Sequence, residues 1–188
     1  MSPLLSQYHT DTLTLLIIDD EEDVLNATKD YLSFTFPFLI DTAGSGEEAL
    51  AKIANTRYDA IISDYEMETI SGIDLLKIIR ARGDDTPFIL FTGRGREEVV
   101  IAAFENGADG YVMKGGEIKS QFADLAQKVT TIVQKRRTEN SLHEIEEQFS
   151  DIYINSPIAI ELYDRDGRLM DINPACCELF GVYSSDDV

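Results

Sequence analysis

Four apolar runs along the chain each end on a polar residue. Leu15-Leu16-Ile17-Ile18 runs into Asp19-Asp20, and Ala60-Ile61-Ile62-Ser63 into Asp64. Phe88-Ile89-Leu90-Phe91 runs into Thr92, and Gly110-Tyr111-Val112-Met113 into Lys114. Unbroken runs of this length suit strands buried on both faces. The pattern predicts strands over 13–18, 38–43, 59–63, 86–91 and 110–113. Helical spacing fills the gaps. Residues 22–34 carry Val24, Ala27, Tyr31 and Leu32, and 46–55 turn Ala49, Leu50 and Ile53 inward. Over 71–81 the inward set is Ile73, Leu76 and Ile79, or Leu75 and Ile78. A helix over 96–105 is stopped by Asn106-Gly107, and a fifth begins at Ile118. Five such βα units predict an α/β fold, a doubly wound parallel sheet with helices on both faces.

The fifth helix does not end where a small domain would end it. Ile118, Phe122, Leu125, Val129 and Ile132 step by four, three, four and three, a heptad seam. Polar residues 134–141 interrupt the seam, and Leu142, Ile145 and Phe149 resume it. No Pro or Gly breaks residues 117–156, which favours one stiff connector, either solvated or dimerising. The texture then changes. Ile158–Tyr163 and Leu169–Ile172 read as strands around the turn Asp164-Arg165-Asp166-Gly167, and Asn173-Pro174 starts a short helix. A hairpin and one helix cannot bury a core alone, so this part is expected to be truncated or to borrow a partner's surface.

Ligands bind beyond the carboxyl ends of the strands in an open α/β sheet. Asp19, Asp20 and Asp64 should therefore meet at one edge, with Thr92 and Lys114 beside them. Two carboxylates ~5 Å apart repel by ~3 kcal/mol at an effective dielectric near ~20. Lys114 relieves part of that repulsion, and a hard divalent cation relieves more. An all-oxygen site with room for water suits Mg²⁺. Asp64 could then attack a phosphoryl group to form an aspartyl phosphate, with Mg²⁺ and Lys114 offsetting the incoming charge. Taken singly the residues read more plainly: Asp19 as a helix N-cap, Thr92 as a turn residue, Lys114 as a surface charge.

The 188 residues carry a formal net charge of −19, which argues against a nucleic-acid surface. No apolar stretch suffices for a membrane span, and Met1-Ser2-Pro3 opens no basic signal region. Cys176 and Cys177 are the only cysteines and read as small core residues in a reducing, cytoplasmic setting.

Residues 13–132 resemble the receiver domain of two-component response regulators. The resemblance is carried by Leu16-Ile17-Ile18-Asp19-Asp20-Glu21, Ser63-Asp64-Tyr65-Glu66-Met67, Ser71-Gly72, Phe91-Thr92-Gly93, Gly107-Ala108-Asp109-Gly110-Tyr111 and Lys114. It implies a flavodoxin-like sheet of order 2-1-3-4-5. It implies phosphorylation of Asp64 by a histidine kinase or phosphotransfer protein. It implies Mg²⁺ on Asp20, Asp64 and the Glu66 carbonyl, with Asp19 acting through water. Thr92, Lys114 and Tyr111 would form the switch, Tyr111 turning inward on activation. The output face, and a homodimer, would use the fourth helix, fifth strand and fifth helix, or the linker helix.

Two features depart from the family. Gly115-Gly116 follows Lys114 where the family usually has proline, so the loop is expected to be mobile and Lys114 less firmly placed without ligand. Glu66 and Arg94 lie two residues beyond Asp64 and Thr92, and a salt bridge between them would screen the acyl phosphate. Residues 149–188 resemble the start of a PAS domain, through Phe149, Ile154-Asn155-Ser156-Pro157, Asp164-Arg165-Asp166-Gly167, Asp171-Ile172-Asn173-Pro174-Ala175 and Glu178-Leu179-Phe180-Gly181. The expected organisation is an N-terminal extension over 1–12, a receiver over 13–132, a helical linker over 133–150 and a partial α+β PAS module over 151–188. The parent would be a larger sensor protein or histidine kinase. Competing readings are a Mg²⁺-dependent phosphatase or phosphotransferase with an Asp nucleophile, and a phosphodonor role for His143.

Overall fold

Alternate side chains of the first strand serve two different cores. Leu13, Leu15 and Ile17 point into one cluster with Leu25, Leu32, Phe122, Leu125 and Val129. Leu16 and Ile18 point into the other with Ala49, Leu75, Leu76, Ile79 and Val99. The two-residue period of a strand requires this division when both faces are covered. The computed structural model describes residues 12–93 and 97–181.

The strands β1 (Leu13–Ile18), β2 (Phe38–Ala43), β3 (Ala60–Ser63), β4 (Phe88–Thr92) and β5 (Gly110–Met113) form one sheet in the order β2-β1-β3-β4-β5. All its pairs are parallel, and Ile18 is level with both Ala43 and Ser63. The helices α1 (Glu22–Thr35), α2 (Gly46–Ile53), α3 (Gly72–Ala81), α4 (Glu97–Glu105) and α5 (Ile118–Asn155) connect or follow the strands. The predicted fold class and strand order are those observed.

Two helical faces differ in detail from the predicted ones. In α1 the buried residues are Leu25, Thr28 and Leu32, and Ala27 is exposed. Thr28 enters the core because its hydroxyl donates to the Val24 carbonyl at 2.7 Å, leaving only its methyl to pack. In α5 the buried set is Phe122, Leu125, Ala126, Val129 and Val133. That is the broad stripe of a helix docked on a sheet rather than the narrow seam of a coiled coil. Ile118, the first residue of the predicted seam, is 64% exposed.

The described residues form two compact units, divided between Arg136 and Arg137 within α5. In the second unit β6 (Glu161–Tyr163) and β7 (Leu169–Ile172) pair antiparallel and lead into α6 (Pro174–Phe180). Asn173, fully buried, organises it. Its Oδ1 accepts from the amides of Ile160 (2.9 Å) and Cys176 (3.0 Å). Its Nδ2 donates to the carbonyls of Tyr153 (3.1 Å) and Ile158 (2.9 Å). One side chain thus caps α6 and ties it to the hairpin and to the end of α5. Cys176 is buried and Cys177 half-buried, both as free thiols. No helix among the described residues is long and apolar enough to cross a membrane.

Candidate functional site

The site forms where β1 and β3 end side by side. Asp64 leaves β3 with its amide donating to the Ile18 carbonyl at 2.9 Å, so its backbone is tied to the strand that delivers Asp19. Both carboxylates are buried. Asp19 does not cap α1 directly: Glu21 occupies the N-cap position without a side-chain bond, and Asp19 Oδ1 accepts the Glu21 amide at 3.0 Å.

Lys114 reaches this pair from β5. Its amide donates to the Thr92 carbonyl at 2.8 Å, just past the end of β5. Its Nζ lies 2.6 Å from Asp19 Oδ2 and 3.4 Å from Asp64 Oδ1, and 5.6 Å from the centre of the Phe91 ring. Lys114 therefore lies at the carboxylate pair in this structure. The strand bond holds its amide, and its ammonium meets two carboxylates and an aromatic face. The two glycines do follow it in unusual conformations, Gly115 at φ +152° and Gly116 at φ +84°.

Asp64 Oδ1 is buried and has no hydrogen-bond partner among the described residues. Loss of water pushes the Asp64 carboxyl above the ordinary carboxylate range, while Lys114 and the Tyr65 amide pull it down and Asp19 pushes it up. A poorly solvated carboxylate whose Oδ1 has only the Lys114 ammonium near it, at 3.4 Å, has the chemistry to take a cation or to act as a nucleophile.

The remaining predicted residues divide. Thr92 is buried at the end of β4, beside Lys114. Tyr111 faces inward: its hydroxyl is buried without a partner among the described residues, and burial raises its pKa. Asp20 is exposed, and its Oδ2 accepts the Glu68 amide at 2.9 Å, which ties the β1 end to the loop after β3. Glu66 is exposed, and Arg94 lies outside the described residues, so the predicted pair between them does too. His143 is exposed on α5 with its Nε2 3.2 Å from Glu147, far from any strand end in sequence.

Two contributors carry a signal that sequence reasoning saw without giving it a role. Gly72 opens α3 with its amide donating to the Tyr65 carbonyl at 3.0 Å. A Cβ there would overlap the Asp64 carbonyl oxygen, so glycine alone lets α3 start this close to Asp64. Ser63 Oγ donates to that same carbonyl at 2.8 Å, fixing the peptide that carries the Asp64 side chain.

These donors are all oxygens, and the buried Asp64 Oδ1, without a hydrogen bond and beside a second carboxylate, fits a hard cation that keeps much of its water. Among the described residues no group of three or more His, Cys, Asp or Glu forms a ready-made metal cage.

The receiver architecture now has a measured counterpart. The family described as the response regulator receiver domain matches residues 15–144, and the chain belongs to it. Receiver domains of this family serve two-component signalling. Among curated relatives, the response regulator MprA of Mycobacterium bovis is 26% identical over 151 residues, covering 80% of this chain and 63% of that protein. The chain therefore spans less than two thirds of the length of those relatives. A receiver-domain protein from Methanospirillum hungatei is 27% identical with a TM-score of 0.61, covering 68% of this chain and 98% of its own. The Thermotoga maritima response regulator TrrA, solved with Mg²⁺ and beryllofluoride, is 33% identical with a TM-score of 0.57, covering 64% of this chain and 99% of its own.

Proposed function

We propose that this chain is a phosphorylation switch in which Asp64 accepts a phosphoryl group from a phosphohistidine donor. The observation that carries this reading is the buried Asp64 carboxylate, one oxygen without a hydrogen bond, 3.4 Å from the Lys114 ammonium. In the step itself, Asp64 attacks phosphorus, the P–N bond to the donor imidazole breaks, and the imidazole leaves with the electron pair. Lys114 follows the charge onto the transferred oxygens, and the Thr92 hydroxyl donates to one of them. Asp20, Asp64 and the Glu66 carbonyl would hold Mg²⁺, with Asp19 acting through water. That ion would supply charge neutralisation during transfer.

The donor is a histidine kinase or a phosphotransfer protein. The region after Arg136 is read as a helical linker leading into the start of a PAS domain. Its support is the hairpin β6–β7 followed by α6, with Asn173 joining them. Phosphorylation would change packing at the output face, and α5, paired with a second copy of the chain, would pass a rotation or a dimer shift onward. Leu142, Ile145, Phe149 and Ile152 are spaced three, four and three and are 54–68% exposed, as an unpartnered seam would be. The parent on this reading is a larger sensor protein, such as a histidine kinase with a receiver near its N-terminus.

The test is incubation with Mg²⁺ and acetyl phosphate, with mass spectrometry of wild type and Asp64→Asn. One covalent phosphate on Asp64, absent from the variant, supports the switch. Repeated turnover of a phosphate ester without a stable adduct supports the enzymatic alternative instead.

A further inference from the structure

Among the described residues the turn after Lys114 has little packing to hold it. Gly115 and Gly116 both have positive φ, and a Cβ added at either would meet no atom within 4 Å. Two consecutive glycines bring the greatest backbone entropy, and open space on both offers no packing to restrain them. Yet Lys114, the residue immediately before this turn, sits 2.6 Å from Asp19. Among the described residues a specific bond restrains the turn: the Gly115 amide donates to Gln121 Oε1 at 2.8 Å. Gln121 is half-buried in the first turn of α5, its own amide donating to the Glu117 carbonyl at 3.1 Å. It is anchored by a helix that docks on the sheet through Phe122 and Leu125. A proline after the lysine would present no N–H. Glycine presents one, and here a side chain takes it.

We propose that Gln121 is the positioning residue for Lys114, its Oε1 holding the Gly115 amide and so fixing the Gly-Gly turn that keeps the ammonium on Asp19 and Asp64. Gln121 does not touch those carboxylates in this structure and acts only through the backbone. The inference rests on the reading of Lys114 as the group that meets the incoming phosphoryl oxygens. It deepens that reading by assigning the control of Lys114 to a residue on the next helix.

Two variants test it. Gln121→Leu removes the acceptor at similar volume, and Gln121→Glu retains an acceptor oxygen at the same reach. The first readout needs no phosphate: amide exchange at Gly115, and the side-chain ¹H–¹⁵N signal of Lys114 in the Mg²⁺-free protein. In Gln121→Leu the Gly115 amide should exchange roughly three- to tenfold faster, the range one neutral hydrogen bond accounts for. The Lys114 signal should broaden, and Gln121→Glu should restore both. The second readout is the rate of Asp64 phosphorylation by acetyl phosphate, which should fall about as much in Gln121→Leu at an unchanged half-saturating Mg²⁺ concentration. Wild-type exchange and an unchanged Lys114 signal in Gln121→Leu would overturn the inference, as would a Gln121→Glu protein no better than Gln121→Leu. If the Lys114 signal responds but wild-type Asp64 takes no phosphate, the positioning role stands and the phosphoacceptor reading falls.

Discussion

Gly72 opens its helix against the Asp64 carbonyl so closely that no other residue fits there without moving one or the other. Ser63 donates to that same carbonyl, so the peptide bearing Asp64 is clamped between a strand residue and a helix start. Gly72→Ala must therefore shift α3 or Asp64. We expect a loss of about 1–3 kcal/mol, the usual cost of overpacking, read as a lower denaturant midpoint. Phosphorylation of Asp64 should slow as well, since its carboxylate moves relative to Lys114. Wild-type values for both would show that the helix start has slack.

Asp64 has its folded-state pKa raised, chiefly by burial. For a carboxyl shifted upward, the folded protein binds more protons than the unfolded chain between the two pKa values. Stability from this group then falls as pH rises through that window, starting at the unfolded value near 3.8. Asp64→Asn removes the poorly solvated charge. Chemical denaturation should find it more stable than wild type at pH 7, with the advantage shrinking as pH drops through the window. An advantage that grows toward acid would contradict the sign.

Asn173 satisfies two amides and two carbonyls at once. Asn173→Ala strips the cap from α6 and leaves buried groups without partners, costing about 3 kcal/mol. The effect should be local to residues after Arg136, because the chain divides there. Hydrogen exchange should speed at Ile160 and Cys176 and stay unchanged in β1 and β3.

Leu142, Ile145, Phe149 and Ile152 leave an apolar seam of α5 exposed. A charge at its centre should oppose association with a second copy. Ile145→Glu is expected to shift sedimentation of the chain toward monomer, whereas Glu144→Gln, off the seam, should leave it unchanged. Equal behaviour of the two variants would remove the linker helix as a dimer contact.

Much of this protein was legible along the chain because parallel strands buried on both faces cannot hide. Their runs place Asp19, Asp64, Thr92 and Lys114 at strand ends, and chain direction puts those ends on one edge. Which helix residues face inward was less legible: Thr28 enters the core through a local hydroxyl bond that hydropathy does not register. The choices among the site's groups were not legible at all. Lys114 lies nearer Asp19 than Asp64, and Asp20 is bonded to the Glu68 amide. Those outcomes depend on angstrom-scale distances between residues from different strands and loops. Asn173 was legible as a helix start but not as the tie to Tyr153, Ile158 and Ile160, and the roles of Gly72 and Gln121 were hidden in the same way. Each acts through a backbone atom of another segment, and only the folded chain brings that atom within reach.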